Sequence, residues 1–337
     1  MRMIYYYILS LLVTYLLLCP LAVKAEDLGE PLSEIAGLIS ARNYNGAIDR
    51  LSEYAESSSA VEDQVSIYYQ IGFIYFQYLH DYDNALKAYE KAVELGKKAG
   101  ASSDMETYVA LSRMSMADIY RHASRYDRAI EIYRKVAADY PGTRYAEVAA
   151  RDIKGIEDAL SEIKLLKQTI DEYPGTEFAA EAQFEIAELY LSSQGLSNPK
   201  QAIHEYASLV DQYPDSRRAA EAQLKIGNTY WTVLHKPEDA ISAYQKLLQS
   251  PFSSGKWGAE SLFRIGRIYY NDLHDYEKAF ETFTGFLRDY PAYWKFPAAV
   301  YWQGMCYEQL KDYDNAIRVF GMFVQIYPDE EPEWLAD

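Results

Sequence analysis

Two cysteines, five histidines and Ser-x-x-Lys spacings are the residues here with chemistry in reach. Ser161-x-x-Lys164 and Ser253-x-x-Lys256 each set a hydroxyl about one helical turn from an amine. A serine nucleophile can use that arrangement when the lysine accepts its proton. The Lys-Thr-Gly element that accompanies it in such enzymes is missing, so both spacings read as chance. Walker, G-x-S-x-G, H-E-x-x-H and C-x-x-C patterns are missing as well. His80, His235 and His274 occupy equivalent turns of a repeating pattern, which explains them as repeat grammar. A shared metal needs ligands converging at about 2 Å, and successive repeats hold them too far apart. His122 and His204 have no partner in sequence. Cys306 reads as a small buried apolar residue on a helix. The many acidic pairs read as the solvated faces of amphipathic helices. No metal site, cofactor site or catalytic set is expected.

The first 25 residues read as a targeting segment. Arg2 and the amino terminus supply a positive start, and Met3 to Val23 carry no charge. Val23-Lys24-Ala25 offers small residues for cleavage before Glu26, so 1–25 reads as a secretory signal. An uncleaved anchor is the alternative, because about 20 apolar residues can span a bilayer. Leu16-Leu17-Leu18-Cys19 also resembles a lipidation box, with Leu18 where a small residue is usual. Cleavage at Ala25 leaves 31 basic and 50 acidic residues and moves the formal charge from −17 to −19. That charge disfavours nucleic acid and anionic membrane surfaces as partners. Membrane contact is therefore expected only through the N-terminal segment. Cleavage would also leave Cys306 without an intrachain disulfide partner.

The elements that position these residues announce themselves by repetition. Tyr-Pro pairs stand at 140–141, 173–174, 213–214, 290–291 and 327–328, and Ser250-Pro251 splits the one long gap. Proline cannot continue a helix and biases its predecessor away from helical angles, so each pair ends one helix. Upstream stands Ala-x-x-x-aromatic: Ala85/Tyr89, Ala129/Tyr133, Ala202/Tyr206, Ala240/Tyr244, Ala279/Phe283 and Ala316/Phe320. Residues four apart share a helical face, so the small residue admits a neighbouring helix and the aromatic fills the next gap. Earlier still stands small-x-x-Tyr: Gly72/Tyr75, Ala117/Tyr120, Ala187/Tyr190, Gly227/Tyr230, Gly266/Tyr269 and Gly304/Tyr307. Four glycines inside helices, each costing up to about 1 kcal/mol against alanine, point to close backbone contact. The first marker defines a B helix and the second an A helix. Asp and Asn in the turns, as in His80-Asp81-Tyr82-Asp83-Asn84, can cap the B helix.

Small-x-x-Tyr, a turn, Ala-x-x-x-aromatic and then Pro resembles the tetratricopeptide repeat. The resemblance covers residues 61–328. Residues 26–60 read as a degenerate first repeat with Ala47 in the B position, 144–173 as a repeat lacking the A marker, and 329–337 as an acidic tail or cap. The fold it implies is all-α: a right-handed α-solenoid of antiparallel helix pairs, about seven or eight repeats. Tyr173-Pro174-Gly175-Thr176, Ala179-Ala180-Glu181-Ala182 and Ala187-Glu188-Leu189-Tyr190 resemble repeats of bacterial envelope proteins. Two groups are similar: the Tol-Pal-associated coordinator of cell-wall synthesis, and the lipoprotein of the outer-membrane protein assembly complex. Both bind partner proteins.

The family geometry implies that A helices line the concave side. Positions three before, one after and four after the small residue then face the groove. These are Tyr69, Phe73 and Phe76; Met114, Asp118 and Arg121; Phe184, Glu188 and Leu191; Leu224, Asn228 and Trp231; Phe263, Arg267 and Tyr270; Tyr301, Met305 and Glu308. The first position is apolar throughout and equally suits packing against the preceding repeat. The expected function is an exported, periplasmic or outer-membrane-associated, non-catalytic scaffold for proteins or peptides. The alternatives are an assembly lipoprotein tethered through Cys19, and a regulatory subunit of an envelope enzyme.

Overall fold

The computed structural model of the chain describes residues 30–99 and 103–326. Every regular element among them is helical: α1 (Glu30–Ser40), α2 (Tyr44–Ser57), α3 (Val61–Gln77), α4 (Tyr82–Ala99), α5 (Ser103–His122), α6 (Tyr126–Asp139), α7 (Arg144–Glu172), α8 (Glu177–Leu191), α9 (Pro199–Gln212), α10 (Arg217–Asn228), α11 (Pro237–Leu248), α12 (Lys256–Asn271), α13 (Tyr276–Asp289), α14 (Phe296–Gln309) and α15 (Tyr313–Ile326). A five-residue π turn, Thr229–Val233, extends α10. Contacts divide the chain into two compact units, residues 1–158 and 159–337, with the division inside α7. The first unit holds three described helix pairs, α1/α2, α3/α4 and α5/α6. The second holds four, α8/α9, α10/α11, α12/α13 and α14/α15. Within each unit neighbouring pairs also pack on one another. The targeting segment, Cys19 and the acidic tail lie outside the described residues.

The turn between A and B helices is built the same way seven times. Arg42, His80, Ser124, Ser197, His235, His274 and Lys311 all take left-handed backbone angles, with φ between 49° and 63°. The next residue then donates its N–H back to the A helix. The acceptors are the carbonyls of Leu38, Tyr75, Tyr120, Tyr190, Tyr230, Tyr269 and Tyr307, at 2.7–2.9 Å. The residue four before the marker alanine thus satisfies a carbonyl that a helix end otherwise leaves bare. Asn43, Asn198 and Asp275 then cap the B helix by accepting from a backbone N–H three residues on. The three histidines at equivalent turns are left-handed turn residues, exposed to solvent.

The helix markers fall where their spacing puts them, but the A-helix glycines make room for a side-chain ring rather than for a neighbouring backbone. A side chain at Gly72, Gly227, Gly266 or Gly304 would have its Cβ 2.3–2.8 Å from the ring of Tyr89, Tyr244, Phe283 or Phe320. Those partners are the B-helix aromatics of the same repeat. The A-helix glycine is therefore the seat of that ring. Tyr89, Tyr133, Tyr206, Tyr244 and Phe283 are fully buried. Removing a ring of this size from a packed core costs about 3–5 kcal/mol.

Residues 144–173 depart from expectation. They form no helix pair; 144–172 are one helix of 29 residues. The sequence RYAEVAARDIKGIEDALSEIKLLKQTIDE contains no proline and no turn cluster, so nothing interrupts it before Tyr173-Pro174. The described residues thus contain seven helix pairs and one single long helix. None of their helices is both long and apolar enough to cross a membrane.

Candidate functional site

In the first unit, the A-helix face of α3 and α5 is largely tied up internally. Tyr69 is buried against the rings of Tyr89 and Tyr108, at 5.9 and 5.6 Å. Phe73 is half-buried and meets Tyr78 edge-on. Phe76 packs with Tyr82 and His122, each 5.8 Å away, and Tyr82 and His122 stack on each other. Asp118 accepts from the Tyr133 hydroxyl at 2.6 Å and from Arg121 at 3.3 Å, and Arg121 also reaches the Tyr133 oxygen at 3.3 Å. Burial pushes the Asp118 carboxyl above the usual carboxylate range despite these partners. Asp152 on α7 is raised for the same reason, with Arg121 opposing.

Two residues expected on the groove are thereby corrected. Tyr69 and Arg121 are core residues, 8% and 4% exposed. The first sits at the position three before the small residue, where Phe184, Leu224 and Phe263 are buried too. The packing alternative therefore holds there for these repeats. Arg121 turns inward because Asp118 and Tyr133 together give its guanidinium acceptors inside the pair.

The second unit carries a fuller face, on α8, α10, α12 and α14. Glu188 accepts from the Tyr206 hydroxyl and pairs with Lys225 of the next A helix at 2.8 Å. Asn228 Oδ1 accepts from the Tyr244 hydroxyl at 2.7 Å. Trp231, carried on the π turn, donates from Nε1 to Asp272 Oδ2 at 2.9 Å. The Arg267 guanidinium lies 4.7 Å above the Trp302 ring. Tyr270 packs edge-on to both Tyr276 and Trp302, at 5.2 and 5.1 Å. Leu191 and Met305 are half-buried and Glu308 is exposed. Elsewhere in this unit Glu260 binds Arg264 and Lys295, at 2.7 and 2.9 Å. Burial works upward on its carboxyl, but the two cations outweigh it and hold the pKa below the ordinary value.

Sequence reasoning missed three features of this region. Trp302 lies two before the small residue, off the assumed stripe, yet it links Arg267 and Tyr270. Its signal was only an extra aromatic on an A helix. The pairing between the B-helix ring and the residue after the A-helix small residue also went unread. Tyr133, Tyr206 and Tyr244 stand opposite Asp118, Glu188 and Asn228, which accept the hydroxyl, and Phe283 and Phe320 stand in the repeats carrying Arg267 and Met305; Tyr89 is the exception, with Phe73 in that place. A cavity of about 470 Å³ in this unit is lined by α9, α10 and α11, with Gln223 among its residues. Ser161 and Lys164 lie exposed on α7, and Lys256 opens α12 with its amine 4.0 Å over the Trp257 ring. Cys306 is buried, and burial pushes its thiol up to about 12.

Comparison with known proteins agrees with this architecture. Residues 63–142 match one profile of the tetratricopeptide repeat, and 181–216, 260–293 and 298–330 match another of the same description. Together the matches span more than half of the sequence, and the chain belongs to the tetratricopeptide-repeat family. No curated protein matches it. Among solved structures it is similar to MamA, with 18% identity, 65% of this chain and 92% of that chain covered, and a TM-score of 0.36. It is similar to YrrB, a TPR protein with an unusual peptide-binding site, at 14% identity, 73% and 95% coverage and a TM-score of 0.34. A third is BtubC from P. vanneervenii, at 13% identity, 75% and 94% coverage and a TM-score of 0.38. Nothing of these proteins' function transfers at such similarity.

Proposed function

We propose that the protein is an exported, non-catalytic scaffold that holds a partner protein or peptide along the A-helix face of its second unit. One observation carries this reading. Arg267, Tyr270 and Trp302 gather on α12 and α14, and Trp231 on the π turn reaches Asp272 at the end of α12; all four are half-buried. Tryptophan, tyrosine and arginine with part of their surface still to bury are the side chains that most often anchor protein interfaces. Family membership supports it, since tetratricopeptide arrays commonly act as protein-binding scaffolds. Leu191, Met305 and Glu308 extend the face; Phe76, in the first unit, is packed against Tyr82 and His122. Glu188 and Asn228 border it but are engaged by Tyr206 and Tyr244.

Export rests on Arg2, the uncharged run from Met3 to Val23, and the small residues before Glu26. On this reading the protein works in the periplasm of a bacterial envelope, in assembly or division. Leu16-Leu17-Leu18-Cys19 supports a second reading, an outer-membrane assembly component tethered by lipid. Mass spectrometry of the mature N terminus separates them: a start at Glu26 supports the soluble scaffold, and a diacylated Cys19 the tethered one. Affinity capture from envelopes tests partner binding itself. Trp231→Ala with Tyr270→Ala should release the captured protein while the helical spectrum is kept. Full retention would remove the face from the account.

A further inference from the structure

The cavity in the second unit holds a buried acceptor that its own walls leave unused. Its volume is about 470 Å³, and α9, α10, α11 and the turn 250–252 line it. Ile203 and Val210 of α9, Ala219 and Ile226 of α10 and Ala243 of α11 supply apolar wall. Gln223 of α10 lies among them, only 8% exposed. Its amide nitrogen donates to the Ala243 carbonyl at 2.8 Å. Its amide oxygen accepts no hydrogen bond among the described residues. A buried amide oxygen without a donor is costly, so it marks a place where a donor is to be supplied. The fold does not itself ask for the amide. Four before the small A-helix residue, the four repeats of the unit carry Gln183, Gln223, Leu262 and Val300, so an apolar residue serves there equally.

One change in the repeat pattern makes the room. The turn after each B helix starts on a carbonyl that accepts from the N–H three residues on. That residue is Tyr140, Tyr213 or Tyr290 in three turns, but Ser250 after α11. The Tyr290 hydroxyl crosses to the Ser253 carbonyl of the preceding turn, at 2.6 Å. A tyrosine at 250 would reach the same way, toward the turn 214–216. Ser250 is too short to do so, and both it and Pro214 line the cavity. The charged residues of the lining, Asp211, Asp239 and Lys246, are exposed and of mixed sign, so the buried end calls for no charge. We propose that this cavity binds a small, uncharged, largely apolar molecule that donates a hydrogen bond to the Gln223 amide oxygen. A cavity of this size, with apolar wall and a few placed polar groups, is the usual form of a small-molecule site. Trp231, Arg267, Tyr270 and Trp302 are not in its lining, so the site stands or falls without the A-helix face of the proposed function.

The test uses the full chain and two probes, indole and N-methylindole, which share a ring and differ in the N–H donor. Ligand-observed NMR titration reads both affinities. Saturable indole binding is expected, with N-methylindole at least about tenfold weaker, because only the N–H can pair with the amide oxygen. Gln223→Leu, which copies Leu262, should bring the two probes to equal affinity. Ser250→Tyr, which restores the residue of the other turns, should abolish binding of both. Circular dichroism confirms that each variant folds. Absent indole binding, or equal affinity for the two probes in the wild type, overturns the proposal. So does undiminished indole binding by folded Ser250→Tyr, or discrimination kept by Gln223→Leu. Binding of N-acetyltryptophanamide at least about tenfold tighter than indole, and lost in Ser250→Tyr, would assign the cavity to a partner's side chain and also overturns it.

Discussion

The repeat α10/α11 and the repeat α12/α13 share a glycine seat and a buried B-helix ring, yet they use the next A-helix residue in opposite ways. In the first, the ring is Tyr244 and its hydroxyl binds Asn228. In the second, the ring is Phe283, and Arg267 is turned instead over Trp302 of the neighbouring A helix. One hydroxyl decides the difference. A buried phenol gains from an acceptor, and in three repeats the residue after the A-helix small residue supplies it; Tyr89, opposite Phe73, does not use that place. Where the ring is phenylalanine that position is released for other contacts. The lesson is that the A-helix face is not uniform. Asp118, Glu188 and Asn228 hold a ring hydroxyl, whereas Arg267 and Met305, in the phenylalanine repeats, do not.

The most severe break in this pairing is Asp118→Ala. It takes an acceptor from both Tyr133 and the buried Arg121, so a loss of about 2–4 kcal/mol is expected by urea denaturation. Transplanting the pair is a sharper test. Phe283→Tyr places a buried hydroxyl beside Arg267 and should cost about 1–3 kcal/mol. Adding Arg267→Asn should recover most of that, because it recreates the Asn228 arrangement. If the double variant is no better than the single, the pairing is coincidental. Tyr244→Phe, which only removes one neutral hydrogen bond, should cost about 1 kcal/mol.

Acid sets the two units against each other with a smaller effect. The Asp118 carboxyl is raised above its unfolded value of 3.8, so its charged form weakens the fold. The wild type should therefore gain on Asp118→Asn as pH falls through the raised pKa toward 3.8. Glu260 is lowered below 4.5, so its stabilising charge is present above that pH and lost as pH falls through the folded pKa. The advantage of wild type over Glu260→Gln should shrink over that lower window. Paired melts of the variants from pH 6 to pH 3 read both slopes.

Much of the fold was legible because glycine, alanine, aromatic and proline positions each answer to a local steric need. Gly227 and Tyr244 were each marked by spacing, but that the ring seats on the glycine shows only once the helices pair. The long helix α7 was not, because its missing turn is an absence of breakers and the repeat rhythm suggested one. The binding face was legible in part. Trp231 and Tyr270 fell on the assumed stripe, and Trp302 did not. Arg121 was misplaced because its direction depends on Asp118 and Tyr133, which meet only after the helices pair. A list of positions cannot see which side chain satisfies which.

The most direct measurement is quantitative capture of envelope proteins by three forms of the full chain: wild type, Trp231→Ala/Tyr270→Ala, and Tyr244→Phe. The account predicts that the first and third capture the same partner equally, while the second loses at least about tenfold, as expected when aromatic anchors are truncated. Equal capture by all three, with folding intact, would contradict the claim that this aromatic face is where the protein holds its partner.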